Sequence, residues 1–201
     1  MISRRRSWPR YETAAAELER LRRLNLKHEG TVELREADDD IYHRCGEGRL
    51  DEVRAYLEAA EENGILQRVL NERGSSRGRA LLHVAALAGA NDVINLLVYD
   101  FGANVGIRSL LGRDTPLHLA AQEGHRHTCF LLVQSGADAD VKNKFGETPL
   151  HYATKLSVIR LLLRHGARVT EEDSRGRTPL QAAEENGAPE PSIKELHAKR
   201  R

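Results

Sequence analysis

Cysteine is nearly absent from this 201-residue chain: only Cys45 and Cys129 occur, in no pattern of a disulfide framework or zinc ribbon. A reducing compartment, the cytoplasm or the nucleus, is therefore expected. Aromatic residues are scarce too, 4% against 40% for all hydrophobic types, which leaves Leu, Ala, Val and Ile to fill the core in thin layers. A dominant charge sign is lacking: 31 Lys and Arg meet 30 Asp and Glu, a formal net charge of +1. Bulk electrostatics therefore does not draw this chain to nucleic acid or a membrane surface. No run approaches the roughly 20 apolar residues a membrane span needs. The basic start MISRRRSWPRYE has no apolar run behind it, unlike a secretory signal, so no membrane insertion is expected. A glycine-rich phosphate loop is missing as well, since GEGR at 46–49 lacks the spacing and the Lys-Ser/Thr ending. No cofactor is expected.

What is present is repetition. ALLHVAALAG at 80–89, TPLHLAAQEG at 115–124, TPLHYA at 148–153 and TPLQAAEENG at 178–187 align on His83, His118, His151 and Gln181, spaced by 35, 33 and 30 residues. A second landmark recurs in step as NLLVYDFGA, FLLVQSGAD and RLLLRHGAR. These residues resemble the ankyrin repeat family, whose period is about 33 and whose signature is T-P-L-H-x-A. The resemblance covers roughly 75–187. It implies an all-α solenoid of helix-turn-helix units with hairpin-like loops, and a structural, hydrogen-bonding role for His83, His118 and His151.

The residues support the same architecture directly. Thr115 is a cap with Pro116 at the first helical position. Leu117, Ala120 and Ala121 line one face of a short helix ending near Gly124. A second helix at about 126–134 is expected to turn Phe130, Leu131 and Leu132 towards the stack, with Gly136 closing it at positive φ.

The departures carry information. A divergent first unit lies at 41–59, with Gly48 in its turn and Val53, Tyr56 and Leu57 on its second helix. The insert near 60–79 carries an apolar stripe, Ile65, Leu66, Val69 and Leu70, that predicts an added helical turn. The second unit has one extra residue in VYDFGA and another in RSLLGRD. In the fourth, Thr148 to Ala167 spans 20 positions where Thr115 to Ala137 spans 23, which predicts an irregularity in its helices. The expected organisation is a flexible basic tail at 1–11, a helical extension at 12–36, a repeat domain of about five units at 37–187 with atypical first and last units, and a C-terminal cap or tail at 188–201.

In the family the partner usually lies along loop tips and the first helix of each unit. Carried over by position, the resemblance nominates Arg77, Arg79, Arg113, Asp114, Lys144, Phe145, Glu147, Tyr152, Arg175 and Arg177 as partner-binding residues. Their arginines and lysine would form a basic stripe suited to an acidic segment of another protein, with Phe145 and Tyr152 as aromatic anchors. Self-association through Leu18, Leu21 and Leu24 of the extension, and association with nucleic acid, are the alternatives; the acidic run EADDD at 36–40 argues against the latter. His125, His127 and Cys129 form an H-x-H-x-C pattern of zinc-ligand types, yet at helical spacing only His125 and Cys129 share a face. No metal site and no catalytic residue is expected.

Overall fold

The computed structural model describes residues 38–199 apart from 74, 76 and 77. The basic tail, the extension with Leu18, Leu21 and Leu24, and Arg77 lie outside the described residues. The helices are α1 (Asp38–Glu47), α2 (Leu50–Glu62), α3 (Leu66–Asn71), α4 (Leu81–Ala88), α5 (Asn91–Asn95), α6 (Pro116–Glu123), α7 (Arg126–Gln134), α8 (Pro149–Tyr152), α9 (Leu156–Arg164), α10 (Pro179–Glu185) and α11 (Glu190–Lys199). An inner row stacks in the order α1, α4, α6, α8, α10, and an outer row in the order α2, α5, α7, α9, α11.

Each unit starts and stops for local reasons. Thr115, Thr148 and Thr178 sit in extended backbone, each followed by proline at the helix start. That placement uses the missing proline N–H where no helical partner exists. Gly124 closes α6 at φ 74, a conformation costly for any residue with a Cβ. The core is aliphatic and thin: Leu82, Ala85, Leu117, Ala120, Ala121 and Leu150 of the inner row meet Ile94, Leu97, Leu132, Ile159 and Leu162 of the outer, all essentially inaccessible. Small alanines let the rows approach closely.

One expectation fails within α7. Leu132 is buried and Leu131 half-buried, but Phe130 is 39% exposed. A helix turns about 100° per residue, and Thr128, Cys129 and Leu132 occupy the inward arc, so position 130 swings to solvent.

The irregular units are absorbed locally. The extra residue of VYDFGA becomes a π turn, Leu96–Asp100, continuing α5. The extra residue of RSLLGRD enlarges the loop, where Arg113 takes φ 56. α3 is the helix expected in the insert, with Val69 and Leu70 buried. The shortened fourth unit loses half of its inner helix: α8 has 4 residues where α6 has 8. At the C-terminal end α11 packs on α9 and α10 and buries Ser192 and Leu196, completing the last unit.

Candidate recognition surface

The loops that precede the inner helices form a ladder. Within each loop one backbone bond closes a hairpin: Ser75 N–H to Arg79 O, Ser109 to Asp114, Asn143 to Glu147 and Asp173 to Arg177. Between loops, Leu110 N–H donates to Gly78 O at 2.9 Å, Lys144 to Gly112 at 2.8 Å and Ser174 to Phe145 at 2.9 Å. The tips therefore stand side by side as one surface.

The repeated histidines fasten this ladder to the helices. The N–H of each cap residue points at a histidine Nδ1: Ala80 to His83 at 3.2 Å, Thr115 to His118 at 3.1 Å and Thr148 to His151 at 3.1 Å. Nδ1 thus carries the lone pair, and the Nε2–H donates to the next loop, at Asp114 O, Glu147 O and Arg177 O over 2.8, 3.1 and 3.0 Å. All three rings are neutral latches between successive units. Burial lowers their pKa values, that of His83 to about 4, against the smaller opposing effect of the carbonyl each one meets. Gln181 keeps the cap-facing half of this role: its Oε1 accepts from Thr178 N–H at 2.9 Å, and no hairpin loop follows it among the described residues.

A polar cluster joins the last three of these four loops. Asn143 is buried; its Oδ1 accepts from Phe145 and Glu147 N–H, and its Nδ2 donates to Asp114, Glu147 and the Tyr152 hydroxyl at 2.8 to 3.2 Å. Tyr152 OH donates to Glu147 Oε2 at 2.9 Å. Burial, then the Asp114 and Glu147 charges, push the tyrosine pKa up, so it stays a neutral donor. In the next loop Asp173 takes the place of Asn143. It accepts from the Arg175 and Arg177 N–H groups and from the Arg177 guanidinium at 2.7 and 2.8 Å. Burial raises its pKa, and these hydrogen bonds outweigh that and hold it below the usual carboxylate range.

Arg177 is the hub, pairing with Asp173, Glu147 and Glu185. It contributes no spare positive charge, so the basic stripe is narrower than its sequence. Arg113, Lys144 and Arg175 are exposed at the tips and have no ion pair among the described residues. Arg79 is half-buried, its N–H donating to Ser75 Oγ.

Two further features shape this face, the first extending the nomination of Phe145 and the second not legible in the sequence. The tips expose Leu110 (62%), Leu111 (67%) and Phe145 (52%), large apolar side chains on adjoining loops beside the three free cations. The missing turn of α8 opens a notch of about 480 Å³, lined by Gln122, Glu147, Tyr152, Thr154, Arg175 and Asn186 among others. Lys155, next in sequence to Thr154 of that lining, puts its ammonium on Glu123 O at 2.9 Å and its chain over Gly124. The deletion was legible; the cavity it leaves required the neighbouring helices.

The H-x-H-x-C residues separate. His125 Nε2 bonds Leu87 O at 3.0 Å, His127 lies against Phe130, and Cys129 is fully buried with its thiol pKa pushed up to about 12 by burial. Among the described residues no group of three His, Cys, Asp or Glu side chains is placed to hold a metal ion, and no helix is long and apolar enough to cross a membrane.

Comparison with known proteins agrees with this geometry. A family model described as ankyrin repeats (3 copies) matches residues 57–143 and 117–196. A putative ankyrin repeat protein of fowlpox virus is 32% identical over 156 residues, 69% of this chain and 46% of that protein. Protein phosphatase 1 regulatory subunit 12A of Mus musculus is 30% identical over 151 residues, 73% of this chain and 14% of that protein. Ankyrin repeat and SOCS box protein 6 of Homo sapiens is 36% identical over 107 residues, 48% of this chain and 25% of that protein. In each case the match spans less than half of the relative's own length.

Proposed function

Since this chain belongs to the ankyrin repeat family, whose fold generally mediates protein–protein interaction, we propose that it is a non-enzymatic recognition module holding a segment of another protein along its loop tips and inner helical face. The observation that carries this reading is the exposure of Leu110, Leu111 and Phe145 on adjoining tips, rimmed by Arg113, Lys144 and Arg175. Large apolar side chains gathered on one surface are a liability unless a partner covers them. The free cations favour carboxylates on that partner, since a guanidinium fork matches a carboxylate geometrically. The α8 notch would receive one protruding side chain of the same segment. The hairpin ladder and the histidine latches hold the surface rigid before binding, so little ordering entropy is lost on association.

The test is site-specific photo-crosslinking from cell extract with a benzophenone amino acid at position 145, and at exposed Glu58 on α2 as a control. The reading expects one protein captured from position 145 and lost on K144E with R175E. Equal capture from both positions, or capture indifferent to those substitutions, overturns it.

A further inference from the structure

The outer row carries a second candidate surface. Phe130 stands exposed on α7, where the corresponding register of the units on either side holds Asn95 and Arg160. Its ring is flanked on two sides: by His127, with centroids 6.4 Å apart and planes within 26°, and by His165 just beyond α9, edge-on at 6.5 Å. Between α7 and α9 runs a groove of about 310 Å³ whose walls include Arg126, Phe130, Ser157, Arg160, Arg164 and His165.

Three guanidinium groups line this groove, and none of its described lining residues is a carboxylate. Glu195 of α11 pairs with Arg160 at 2.9 Å. Arg126 and Arg164 are exposed and have no ion pair among the described residues. Several other cations of the outer row and the loops are matched: Arg54 with Asp100, Lys142 with Glu171 and Arg168 with Asp140. Arg113, Lys144 and Arg175 at the tips, like Arg126 and Arg164, have no ion pair among the described residues. In a chain with a net charge of only +1, two unmatched arginines beside an exposed aromatic ring make this groove locally basic.

We propose that this groove is a second docking site, on the opposite row from the tips, for an acidic segment of a partner protein. Its carboxylates pair with Arg126 and Arg164, and one apolar side chain rests on the Phe130 ring. Charge complementarity selects the occupant: planar forks suit carboxylates, and aromatic and Arg side chains are the types that anchor interfaces. The flanking histidine rings limit how far the phenylalanine can reorient, which lowers the ordering cost of contact.

The test uses the 15N-labelled chain and a blocked synthetic peptide, Glu-Asp-Glu-Leu-Glu-Asp-Glu-Leu, with its Gln/Asn counterpart as control. The acidic peptide is expected to shift amide resonances at 126–130 and 160–165. Its affinity should fall about tenfold or more in R126E with R164E and also weaken in F130S, each substitution being at an exposed position. K144E with R175E should leave it unchanged. Four results would each overturn the proposal: equal binding of the Gln/Asn peptide, shifts confined to the tips, the same shifts from inorganic phosphate alone, or the same resonances moving with protein concentration in the absence of peptide. The last two point respectively to a bare anion site and to a second copy of the chain. Because the readout is separate from the tips, failure here leaves the crosslinking result at position 145 untouched.

Discussion

Acid should weaken this fold well before its carboxylates titrate, because its units are joined by neutral imidazoles. His83 lies buried between the Ala80 N–H and the Asp114 carbonyl, with its pKa lowered from 6.5 to about 4 by burial. A group whose pKa is depressed on folding contributes its full stability above the unfolded value and loses it as the pH falls towards the folded one. Between pH 7 and pH 5, a shift of this size from 6.5 costs about 2 kcal/mol from His83 alone. His118 and His151 are shifted in the same direction and add to the loss. The lowered Asp173 is lost only at more acid pH, below the ordinary aspartate value of 3.8. The informative variant is H83Q, since Gln181 already shows that a glutamine Oε1 accepts the cap N–H. Urea unfolding of both chains at pH 7, 6 and 5 gives the difference in stability at each pH. That difference should shrink by about 2 kcal/mol between pH 7 and pH 5 as the native chain loses its neutral-histidine contribution and the variant does not. A difference that stays constant over that range would refute the latch.

Further predictions concern single residues. R177A leaves the Asp173 carboxylate, 1% exposed, without its cation and should cost about 2–4 kcal/mol of stability. R175A on the same loop should stay within about 0.5 kcal/mol; equal effects would show that Arg177 is not a hub. R113G replaces a non-glycine residue at φ 56 and should raise unfolding stability by up to about 1 kcal/mol, whereas a fall in midpoint would mean that the arginine side chain makes an unrecognised contact. L117A removes a fully buried side chain and should cost about 2–5 kcal/mol, measured in the same assay. Lengthening α8 by the three residues its unit lacks should close the notch, preserve the fold by circular dichroism, and weaken partner capture at position 145.

What could be read from the chain was what local chemistry decides. Thr-Pro at the start of α6, α8 and α10, Gly124 at the end of α6 and His or Gln three residues after the cap are short-range devices, so the repeats follow from spacing and the structural role of the histidines from the resemblance. The extra residue of VYDFGA was visible, but its solution as a π turn depended on packing between rows. The sequence places Arg177 in the basic stripe but does not reveal its ion pairs, because these depend on Glu147, 30 residues away, as well as on Asp173 and Glu185. Counting along one helix alone turns Phe130 inward, which its 39% exposure contradicts. Aligning it with Asn95 and Arg160, which flank the buried Ile94 and Ile159 as it flanks Cys129, would have turned it outward.

The central claim is that recognition occurs on the hairpin ladder and the inner row. Hydrogen–deuterium exchange of the full chain, with and without the protein captured through position 145, tests it most directly. The account predicts added protection at 109–114, 143–147 and 173–177 and in α6, α8 and α10. Protection confined to residues 1–37, with the ladder unchanged, would contradict it.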